Sequence, residues 1–405
     1  MYDVIVVGAG PAGSTASRYL SKSGLKVLLL DKNIFPRRKT CAGGLCRHIE
    51  SFPYIHDILK DKSLIKSVCR GSITISPSGR YEYSYISSDP LFYNVFREEF
   101  DSKLVDLAVD MGTEFRDNTL AKDVNVISDG TVEIYSSNDI YRCKVAIIAD
   151  GALGVIGSYI RKKIGVEKWW RNNLDIAVAS ELKVDEGFID RIYGVERKAI
   201  LKFRWSNLHG YAWVFPKRDT VNIGFGGMKD EMKAIDVQQE FNRYLSYLRN
   251  RSLLPKNITY SKVYGAPLPS GGPISKVYYS NILLAGDAAG FVSPLSGEGI
   301  YYAMESGRIA SKVIISSFEN DNFNVIGRNY QRNCFDSFGR NLKLLSFYKY
   351  FLMFFSENTH KYAELDPLLR RYYIEVFNGD RKALDPMISV RFIKDFLMFD
   401  IFQRR

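Results

Sequence analysis

The first 150 residues alternate between short apolar runs and amphipathic stretches. Residues 2–7 and 25–31 are apolar runs typical of buried strands, and residues 11–23 have the period of a helix that Gly24 can end. This strand, helix, strand order predicts a parallel sheet with a right-handed crossover. The same patterns predict a helix over 97–111 and strands around 124–126, 132–135 and 145–149.

The middle of the chain has the pattern of an antiparallel sheet. Residues 71–86 predict a hairpin, and further strands are predicted at 174–184, 199–205, 211–215 and 220–226. Residues 281–286 return to a buried apolar strand, followed by a predicted helix over 299–318; beyond residue 324 the pattern is helical, basic and aromatic. We therefore expect the α/β class, with an α+β insert that forms a second sheet domain.

Length and composition favour a large globular protein. A chain of 405 residues is long enough for two or more domains. With 46% hydrophobic and 25% charged residues, a disordered, collagen-like or coiled-coil chain is excluded. The net charge of +11 and the 14% aromatic content indicate an anionic partner beside an apolar one. Nucleic acid, a membrane surface and a phospholipid-like substrate all fit these numbers.

The cysteines and histidines are dispersed along the chain. The five cysteines form no C-x-x-C pair and the four histidines lack metal-ligand spacing, so we expect neither a metal site nor a disulfide framework. The N-terminal residues lack the features of a signal peptide, and no apolar run reaches the ~20 residues that span a bilayer. We expect a cytoplasmic protein, with peripheral membrane contact as an open alternative.

A glycine motif stands between the first predicted strand and the first predicted helix. Gly8-x-Gly10-x-x-Gly13 matches the dinucleotide-binding fingerprint, and Asp31 ends the next strand 18 residues after Gly13. The glycines permit a tight turn, backbone approach to a pyrophosphate, and close packing of helix and strand. The helix start offers N–H groups to phosphates, and Asp31 can accept hydrogen bonds from a ribose. The motif predicts a Rossmann-like dinucleotide-binding domain.

Two later motifs distinguish FAD from NAD. They are Ala149-Asp150-Gly151 after one strand and Gly286-Asp287 after another, the latter followed by Gly297-Glu298-Gly299-Ile300. With them, roughly the first 320 residues resemble the FAD-dependent oxidoreductases of the para-hydroxybenzoate hydroxylase type. The resemblance implies that Asp287 contacts the ribityl chain, that Arg97 lies near the FAD phosphates, and that the helix starting at Gly299 and Ile300 faces the flavin. A helix start there would stabilise negative charge on the reduced flavin.

Two further segments narrow the resemblance to the geranylgeranyl reductase family. They are Lys39-Thr40-Cys41-Ala42-Gly43-Gly44-Leu45 and Gly210-Tyr211-Ala212-Trp213-Val214-Phe215-Pro216-Lys217. In that family the first type of segment places a cysteine beside the flavin, and the second lines the substrate cavity. The chain departs from the family pattern at Ala42, where glycine is frequent, and at Leu208, where proline is frequent. The second departure, at Leu208, would change the shape of the cavity edge and therefore the identity of the substrate.

Tyr211, Trp213 and Phe215 share one face of their predicted strand because side chains alternate along a strand. Such a face can form an apolar wall for an isoprenoid chain, whose burial is worth ~25 cal/mol per Å². On the pattern alone, the alternative is that these three side chains only pack in the hydrophobic core. The resemblance favours substrate binding by these three residues.

Cys41 is the candidate catalytic residue. The preceding cations Arg37, Arg38 and Lys39 favour a thiolate at this position. By the resemblance Cys41 lies near the isoalloxazine and gates or donates a proton. The alternative is a small buried apolar side chain.

Patterns and resemblance together give the domain boundaries and the cofactor contacts. Residues 1–70, 96–165 and 262–320 would form a discontinuous FAD-binding domain, residues 71–95 and 166–261 the substrate-binding antiparallel sheet domain, and residues 321–405 a helical C-terminal segment. The residues expected to contact FAD are Gly8, Gly10, Ala12, Gly13, Asp31, Lys32, Cys41, Ala42, Gly44, Arg97, Ala121, Asp287, Gly299 and Ile300.

Residues 342–356 are nearly all apolar and helical in propensity. A segment of this length is too short to cross a bilayer. It would either cover the substrate channel and touch a membrane, or lie buried in the core. No nucleic-acid-binding motif accompanies the basic excess, so we expect no nucleic acid partner.

The leading hypothesis is a FAD-dependent reductase that hydrogenates C=C bonds of geranylgeranyl and other isoprenoid chains. By the resemblance, its substrate would be an isoprenoid diphosphate or a prenylated glycerophospholipid of archaeal-type membrane lipid biosynthesis. The electron donor is open between NAD(P)H and a ferredoxin-like protein, and we expect a monomer. The alternatives are a FAD-dependent monooxygenase of the same fold and, from another class, a non-catalytic prenyl-lipid carrier.

Overall fold

The computed structural model describes residues 1–137, 139–260, 262–354 and 356–380. The strands in these residues are β1 (Tyr2–Val7), β2 (Val27–Leu30), β3 (Gly44–Cys46), β4 (Ser67–Cys69), β5 (Gly71–Ile75), β6 (Glu82–Ile86), β7 (Phe92–Asn94), β8 (Glu114–Arg116), β9 (Asp123–Val126), β10 (Val132–Tyr135), β11 (Ile140–Ile148), β12 (Asp175–Lys183), β13 (Ala199–Phe203), β14 (Tyr211–Pro216), β15 (Thr220–Met228), β16 (Tyr264–Leu268), β17 (Tyr278–Tyr279) and β18 (Ile282–Leu284). The α-helices are α1 (Pro11–Lys22), α2 (Ile55–Lys60), α3 (Arg97–Val109), α4 (Val155–Lys163), α5 (Glu167–Asn172), α6 (Glu186–Tyr193), α7 (Lys229–Lys233), α8 (Val237–Asn250), α9 (Ile300–Glu319), α10 (Ile326–Cys334), α11 (Arg340–Phe354), α12 (Ser356–Leu365) and α13 (Pro367–Asn378).

The first sheet is mostly parallel and has β1 near its centre. Its strand order is β17-β18-β11-β1-β2-β8, with β10 joined to β11 and β9 to β10. β1 runs parallel to both β2 and β11, and β18 runs parallel to β11. The apolar run of β1 is buried, as expected for a central parallel strand. The β1–α1–β2 unit therefore presents the glycine motif at the carboxyl end of β1, where parallel sheets bind ligands.

Helices α1 and α9 pack closely because small residues face each other. A Cβ added to Gly307 would lie 2.3 Å from the Ala12 carbonyl oxygen, and Ser311 Oγ donates to the Ala16 carbonyl at 3.1 Å. This close approach brings the first turn of α9 next to the glycine motif at the start of α1. The start of α9 at Ile300, one residue after Gly299, agrees with the helix predicted over 299–318.

The second sheet has the strand order β16-β12-β15-β14-β13-β5-β6. Its neighbouring strands are antiparallel except for β13 and β5. One face packs into an apolar core that includes Ala212 and Val214 of β14 and Phe241 and Tyr244 of α8. The other face of β14 carries Tyr211, Trp213 and Phe215, as the alternation of side chains requires.

Two elements differ from the sequence-based expectation. β16 pairs with β12 at the edge of the second sheet, although residues 262–320 were expected in the FAD-binding domain. The chain completes this sheet edge before it returns to β18 in the first sheet. β11 begins at Ile140, earlier than the strand predicted over 145–149, because its first residues pair with β10 in an antiparallel hairpin.

Helix α12 docks on the β5–β6 hairpin through polar contacts. The Glu357 carboxylate accepts from the Ser78 amide at 2.9 Å, and the Glu364 carboxylate accepts from the Glu82 amide at 3.1 Å. Among the described residues, no helix is long and apolar enough to cross a membrane. Residues 381–405 of the predicted C-terminal segment, and Phe355 within the predicted helix 342–356, lie outside the described residues.

Candidate active site

A cavity of about 660 Å³ extends from the glycine motif to the second sheet. The predicted site residues that line it are Gly8, Gly10, Ala12, Asp31, Lys32, Cys41, Ala42, Gly44, Arg97, Ala121, Tyr211, Trp213, Phe215, Asp287, Gly299 and Ile300. Gly13 lies beneath the loop instead, since a Cβ there would be 1.9 Å from the Gly8 carbonyl oxygen. The fold thus brings both halves of the predicted site together in one cavity.

The backbone of the glycine loop lies directly against the backbone that follows β11. Gly8 has a φ of +103°, and a Cβ at this position would lie 2.3 Å from the Ala149 carbonyl oxygen. The Ala9 amide donates to Asp31 Oδ2 at 2.8 Å, which ties the loop to the end of β2. The loop leads into α1, whose first turn offers N–H groups to an anion.

Asp101, on α3, fixes two arginines beside this loop. Its carboxylate is fully buried and receives two hydrogen bonds of 2.8 Å from Arg97 and an ion pair of 3.1 Å from Arg37. Although burial opposes the charge, Asp101 and Cys41 hold the pKa of Arg97 above its ordinary value. The sequence analysis did not select Asp101; its position four residues after Arg97 on a helix is the signal that could have found it.

The loop that leads into α9 carries a further acidic group of the site. Glu298 Oε1 accepts from the Tyr301 amide at 2.7 Å, so the carboxyl caps the helix. Burial, with a smaller contribution from Asp287, raises the pKa of Glu298 to about 7, against the lowering effect of the Tyr301 and Ile300 amides and of Arg97. Glu298 lies in the Gly297-Glu298-Gly299-Ile300 motif, but it was not selected from the sequence. Its raised pKa depends on burial, which only the fold creates.

Asp150, after β11, is another acidic group at this end of the cavity. Its Oδ2 accepts from the Gly157 amide at 3.0 Å, while its buried Oδ1 has no hydrogen-bond partner in the described part of the chain. Burial raises the pKa of Asp150 to about 6.

The Cys41 loop is anchored to the second sheet. Lys217, which is 1% exposed, donates to the Ala42 carbonyl at 3.4 Å and pairs with Glu181 at 2.9 Å. Asn222 donates to the Cys41 carbonyl at 3.3 Å and accepts from the Trp213 indole at 2.9 Å. These contacts connect the predicted catalytic loop with the aromatic wall.

A backbone donor approaches the sulfur of Cys41. The Gly43 amide donates to Sγ at 3.4 Å. The sulfur therefore acts as an acceptor in this arrangement. Glu181, Lys217 and Asn222 were missed by the sequence analysis because they are distant from Cys41 in the chain and form no motif with it.

The far half of the cavity is aromatic. Phe215 stacks on Phe92 with ring centroids 4.7 Å apart, and Tyr211 donates its hydroxyl to the Ser296 carbonyl. A Cβ at Gly224 would lie 2.3 Å from the Trp213 ring, so the glycine makes room for the indole. The aromatic wall therefore depends on a small residue on the neighbouring strand as well as on the aromatic residues themselves.

The C-terminal helices close this aromatic half. α11 contributes Leu352 and Met353, which line the cavity, while Phe347 of the same helix is 75% exposed. α12 contributes His360 and α13 contributes Phe377, neither of which the sequence analysis selected. Leu208, where the family pattern has proline, packs in the core on the other face of the second sheet and is not among the lining residues.

Charge divides the cavity into two halves. The charged lining residues all come from the loops of the first sheet and from α3 and the α9 start: Asp31, Lys32, Arg37, Arg38, Lys39, Arg97, Asp150, Asp287 and Glu298. The described lining residues of the second sheet and of α11, α12 and α13 include no Asp, Glu, Lys or Arg. We call the first the dinucleotide half and the second the tail half.

The dinucleotide half fits FAD. Its glycine loop leaves room for a pyrophosphate, its arginines can neutralise the phosphates, and the α9 start faces the cavity beside Asp287. The FAD binding domain family matches residues 1–316. The chain therefore belongs to this family of flavin-dependent oxidoreductases, and FAD is its cofactor.

The comparisons also identify a narrower group of relatives. Digeranylgeranylglycerophospholipid reductase from Methanocaldococcus jannaschii is 33% identical over 325 residues, which are 77% of this chain and 76% of that protein. Menaquinone reductase from Mycobacterium tuberculosis is 31% identical over 328 residues, or 78% and 76% of the two chains. The predicted resemblance to geranylgeranyl reductases is thereby confirmed.

A solved structure agrees with this grouping. A geranylgeranyl bacteriochlorophyll reductase-like protein from Thermoplasma acidophilum matches with a TM-score of 0.76 and 25% identity, over 89% of this chain and 90% of that one. The predicted α/β fold with its Rossmann-like FAD-binding domain and the predicted FAD cofactor are both confirmed.

Proposed function

We propose that this protein hydrogenates C=C bonds of long isoprenoid chains, and that geranylgeranyl groups of a glycerophospholipid are its substrate. The observation that carries the proposal is the division of one cavity into a charged dinucleotide half and an uncharged aromatic tail half. A polyprenyl chain offers only hydrocarbon surface, which an uncharged aromatic wall can bury. The similarity to digeranylgeranylglycerophospholipid reductase supports the choice of substrate.

In this proposal, different predicted residues bind different parts of the cofactor and the substrate. The glycine loop, Asp31 and Arg97 hold the adenosine diphosphate part of FAD, and Asp287 with the α9 start holds the flavin part. When bound and reduced, FAD supplies the hydride for alkene saturation. Tyr211, Trp213 and Phe215 position the alkene and exclude water, which an unactivated double bond requires.

Alkene saturation also requires a proton. Glu298 lines the cavity, and burial raises its pKa to about 7, so its carboxyl group can both give up and take back a proton near neutral pH. We assign Glu298 as the proton reservoir of the site. Cys41, whose sulfur accepts a hydrogen bond from the Gly43 amide, is the second candidate for a catalytic role.

The polar head of the substrate is assigned to the basic loop. Lys32, Arg38 and Lys39 line the cavity at the dinucleotide half and can attract a phosphate group. The exposed aromatic side chains Phe347 and Tyr350 on α11 are the surface proposed for contact with a lipid bilayer.

Product mass tests the proposed function. The purified holoenzyme is reduced with dithionite, given a geranylgeranyl glycerophospholipid, and the lipid is analysed by mass spectrometry. We expect a gain of two hydrogens for each saturated bond. A gain of oxygen in aerobic reactions with NADPH would establish the monooxygenase alternative. A protein that binds the lipid, retains no flavin and changes no bond would establish the carrier alternative.

A further inference from the structure

The tail half of the cavity crosses the second sheet along one row of paired residues. Trp213 of β14 pairs with Leu201 of β13, Leu201 pairs with Thr74 of β5, and Thr74 pairs with Tyr83 of β6. All four side chains line the cavity, and we call them the cross-strand row. Neighbouring strands lie about 4.8 Å apart, so the row from β14 to β6 is about 14 Å long.

The Trp213 end of the cross-strand row lies at the dinucleotide half. The Trp213 indole donates to Asn222 at 2.9 Å, and Asn222 donates to the Cys41 carbonyl at 3.3 Å. The neighbouring Tyr211 donates its hydroxyl to the Ser296 carbonyl, in the loop before α9. A chain that passes the Cys41 loop therefore meets Trp213 first and Tyr83 last.

Helix α13 runs beside the cross-strand row and gives a second measure of its length. Arg370, near the start of the helix, lies 5.6 Å from the centroid of the Tyr83 ring. Phe377, near its end, has its ring centroid 5.6 Å from that of Tyr211. The two residues are seven positions apart, which is about 10 Å along a helix axis. Tyr83 therefore lies two helical turns beyond the aromatic wall.

Packed side chains close the cavity at Tyr83. The Tyr83 side chain is 6% exposed and packs in one cluster with Leu91, Ala363 and Ile374. Arg370 covers this cluster from α13 and donates to the Ala363 carbonyl at 3.0 Å, which ties α13 to α12. Among the described residues, β6 is also the edge strand of the second sheet. The row therefore ends at a wall that is fixed by packing.

We propose that Tyr83 limits the length of the isoprenoid chain that the tail half accepts. A chain whose polar head lies at the basic loop extends along the cross-strand row, and its terminal isoprene unit stops against the Tyr83 ring. The isoprenoid nature of the ligand rests on the proposed function, whereas the position of the limit rests on the strand register and on α13. The phenol ring is larger than one isoprene unit, so its removal makes room for one unit more.

Equilibrium binding of prenyl diphosphates to the oxidised holoenzyme tests this limit. The series is geranyl, farnesyl, geranylgeranyl, geranylfarnesyl and hexaprenyl diphosphate, in which each chain is one isoprene unit longer than the last. In the wild type, each unit should strengthen binding until the chain reaches Tyr83, and the next unit should add nothing. In Tyr83→Ala, the first unit beyond the wild-type limit should strengthen binding about tenfold or more.

Tyr85→Ala is the matched control. Tyr85 lies two residues further along β6, on the same face of the strand, and is not among the residues that line the cavity. The variant loses the same ring from the same strand, so its binding should stop improving at the wild-type chain length. Tyr83→Phe keeps the ring and should also keep the wild-type limit.

A milder substitution covers the case in which Tyr83→Ala does not fold. Tyr83→Leu removes the ring, keeps an apolar side chain in the cluster, and should move the limit in the same direction. A limit at the same chain length in the wild type and in the folded Tyr83→Ala or Tyr83→Leu protein would overturn the proposal. Binding that strengthens throughout the series in the wild type would overturn it as well.

Binding and turnover separate this proposal from the proposed function. If the wild-type enzyme reduces no prenyl substrate but Tyr83→Ala moves the length limit, the proposed function fails and the role of Tyr83 stands. If geranylgeranyl lipids are reduced while the limit is the same in the wild type and the Tyr83 variants, the role of Tyr83 fails and the proposed function stands.

Discussion

The two halves of the cavity recognise ligands by different means. In the dinucleotide half, the glycine loop, the α1 start and the α9 start present backbone groups, and buried Asp101 fixes the arginines Arg37 and Arg97. In the tail half, side chains from the second sheet and three C-terminal helices present rings and no charge. Backbone geometry therefore defines the cofactor end, whereas side-chain packing defines the substrate end.

The halves share one property, which is that burial shifts the pKa of a titratable group towards its uncharged form. In the dinucleotide half the pKa of Glu298 is raised to about 7, and in the tail half the pKa of His360 is lowered to about 4. The two shifts have opposite signs because desolvation disfavours the charged form, which is the carboxylate in one case and the imidazolium in the other.

The largest expected effect is on the backbone of the dinucleotide half. Gly8→Ala would place a methyl group 2.3 Å from the Ala149 carbonyl oxygen at a φ of +103°, so the loop must move. We expect the purified variant to be colourless, because the displaced loop cannot hold the pyrophosphate. Visible absorbance of the purified protein measures the bound flavin.

Gly24→Ala is the matched control for this variant. Gly24 also has a positive φ, of +87°, but a Cβ there has no atom within 4 Å. It should cost about 1 kcal/mol of stability and keep the flavin. Loss of flavin from both variants would show that backbone strain alone, and not the cofactor loop, is responsible.

Trp213→Ala tests the wall of the tail half. Removing the indole takes away one face of the cavity and should raise the KM for the prenyl substrate roughly tenfold or more, while flavin content stays that of the wild type. Trp213→Phe keeps a ring and removes only the donor to Asn222, so its KM should change less. An unchanged KM in Trp213→Ala would mean that the substrate lies elsewhere.

The difference between the halves also explains how much the sequence could predict. The dinucleotide half follows from local spacing: Gly8 and Gly10 lie in one loop, and Asp31 ends the next strand. Tyr211, Trp213 and Phe215 could be assigned to one face because alternation along a strand is a local rule. The FAD cofactor and the fold, which depend on such local motifs, are confirmed.

Residues that meet only in the folded chain could not be predicted in this way. His360 reaches the cavity from α12, and Lys217 reaches the Cys41 loop from the end of β14 while it pairs with Glu181 of β12, on the far side of β15. The raised pKa of Glu298 likewise depends on burial by distant elements. The substrate end is therefore harder to infer from sequence than the cofactor end, because its specificity comes from long-range packing.

Lys217→Met tests the connection between the halves. It leaves the Glu181 carboxylate without its buried partner and releases the Ala42 carbonyl, which should cost about 3 kcal/mol in the free energy of unfolding. Lys217→Met combined with Glu181→Leu should recover much of this loss, since no unpaired charge is left behind.

Alkylation of Cys41 provides the second measurement for this connection. Cys41 is half-buried while Cys46, Cys69, Cys143 and Cys334 are buried, so iodoacetamide reports mainly on the Cys41 loop of the folded protein. We expect faster alkylation in both Lys217 variants than in the wild type. An unchanged alkylation rate would show that Lys217 stabilises the second sheet but does not hold the loop.

The smallest expected effect concerns pH. Folding raises the pKa of Glu298 from 4.5 to about 7, so its contribution to stability is fully present below about pH 4.5 and is lost as pH rises through 7. Glu298→Gln cannot ionise and should lose less stability between pH 5 and 8 than the wild type, by about 2 to 3 kcal/mol. Thermal unfolding of the two holoenzymes across this range measures the difference.

His360 predicts the opposite pH dependence for the tail half. Its lowered pKa gives a contribution that is present above the ordinary value of 6.5 and is lost as pH falls towards 4. His360→Phe should therefore reduce the loss of stability as pH falls from 6.5 towards 4, whereas Glu298→Gln should reduce the loss as pH rises from 4.5 towards 7. If both variants change the slope of stability against pH in the same direction, the two pKa shifts do not have opposite signs, and burial does not disfavour the charged form in both halves.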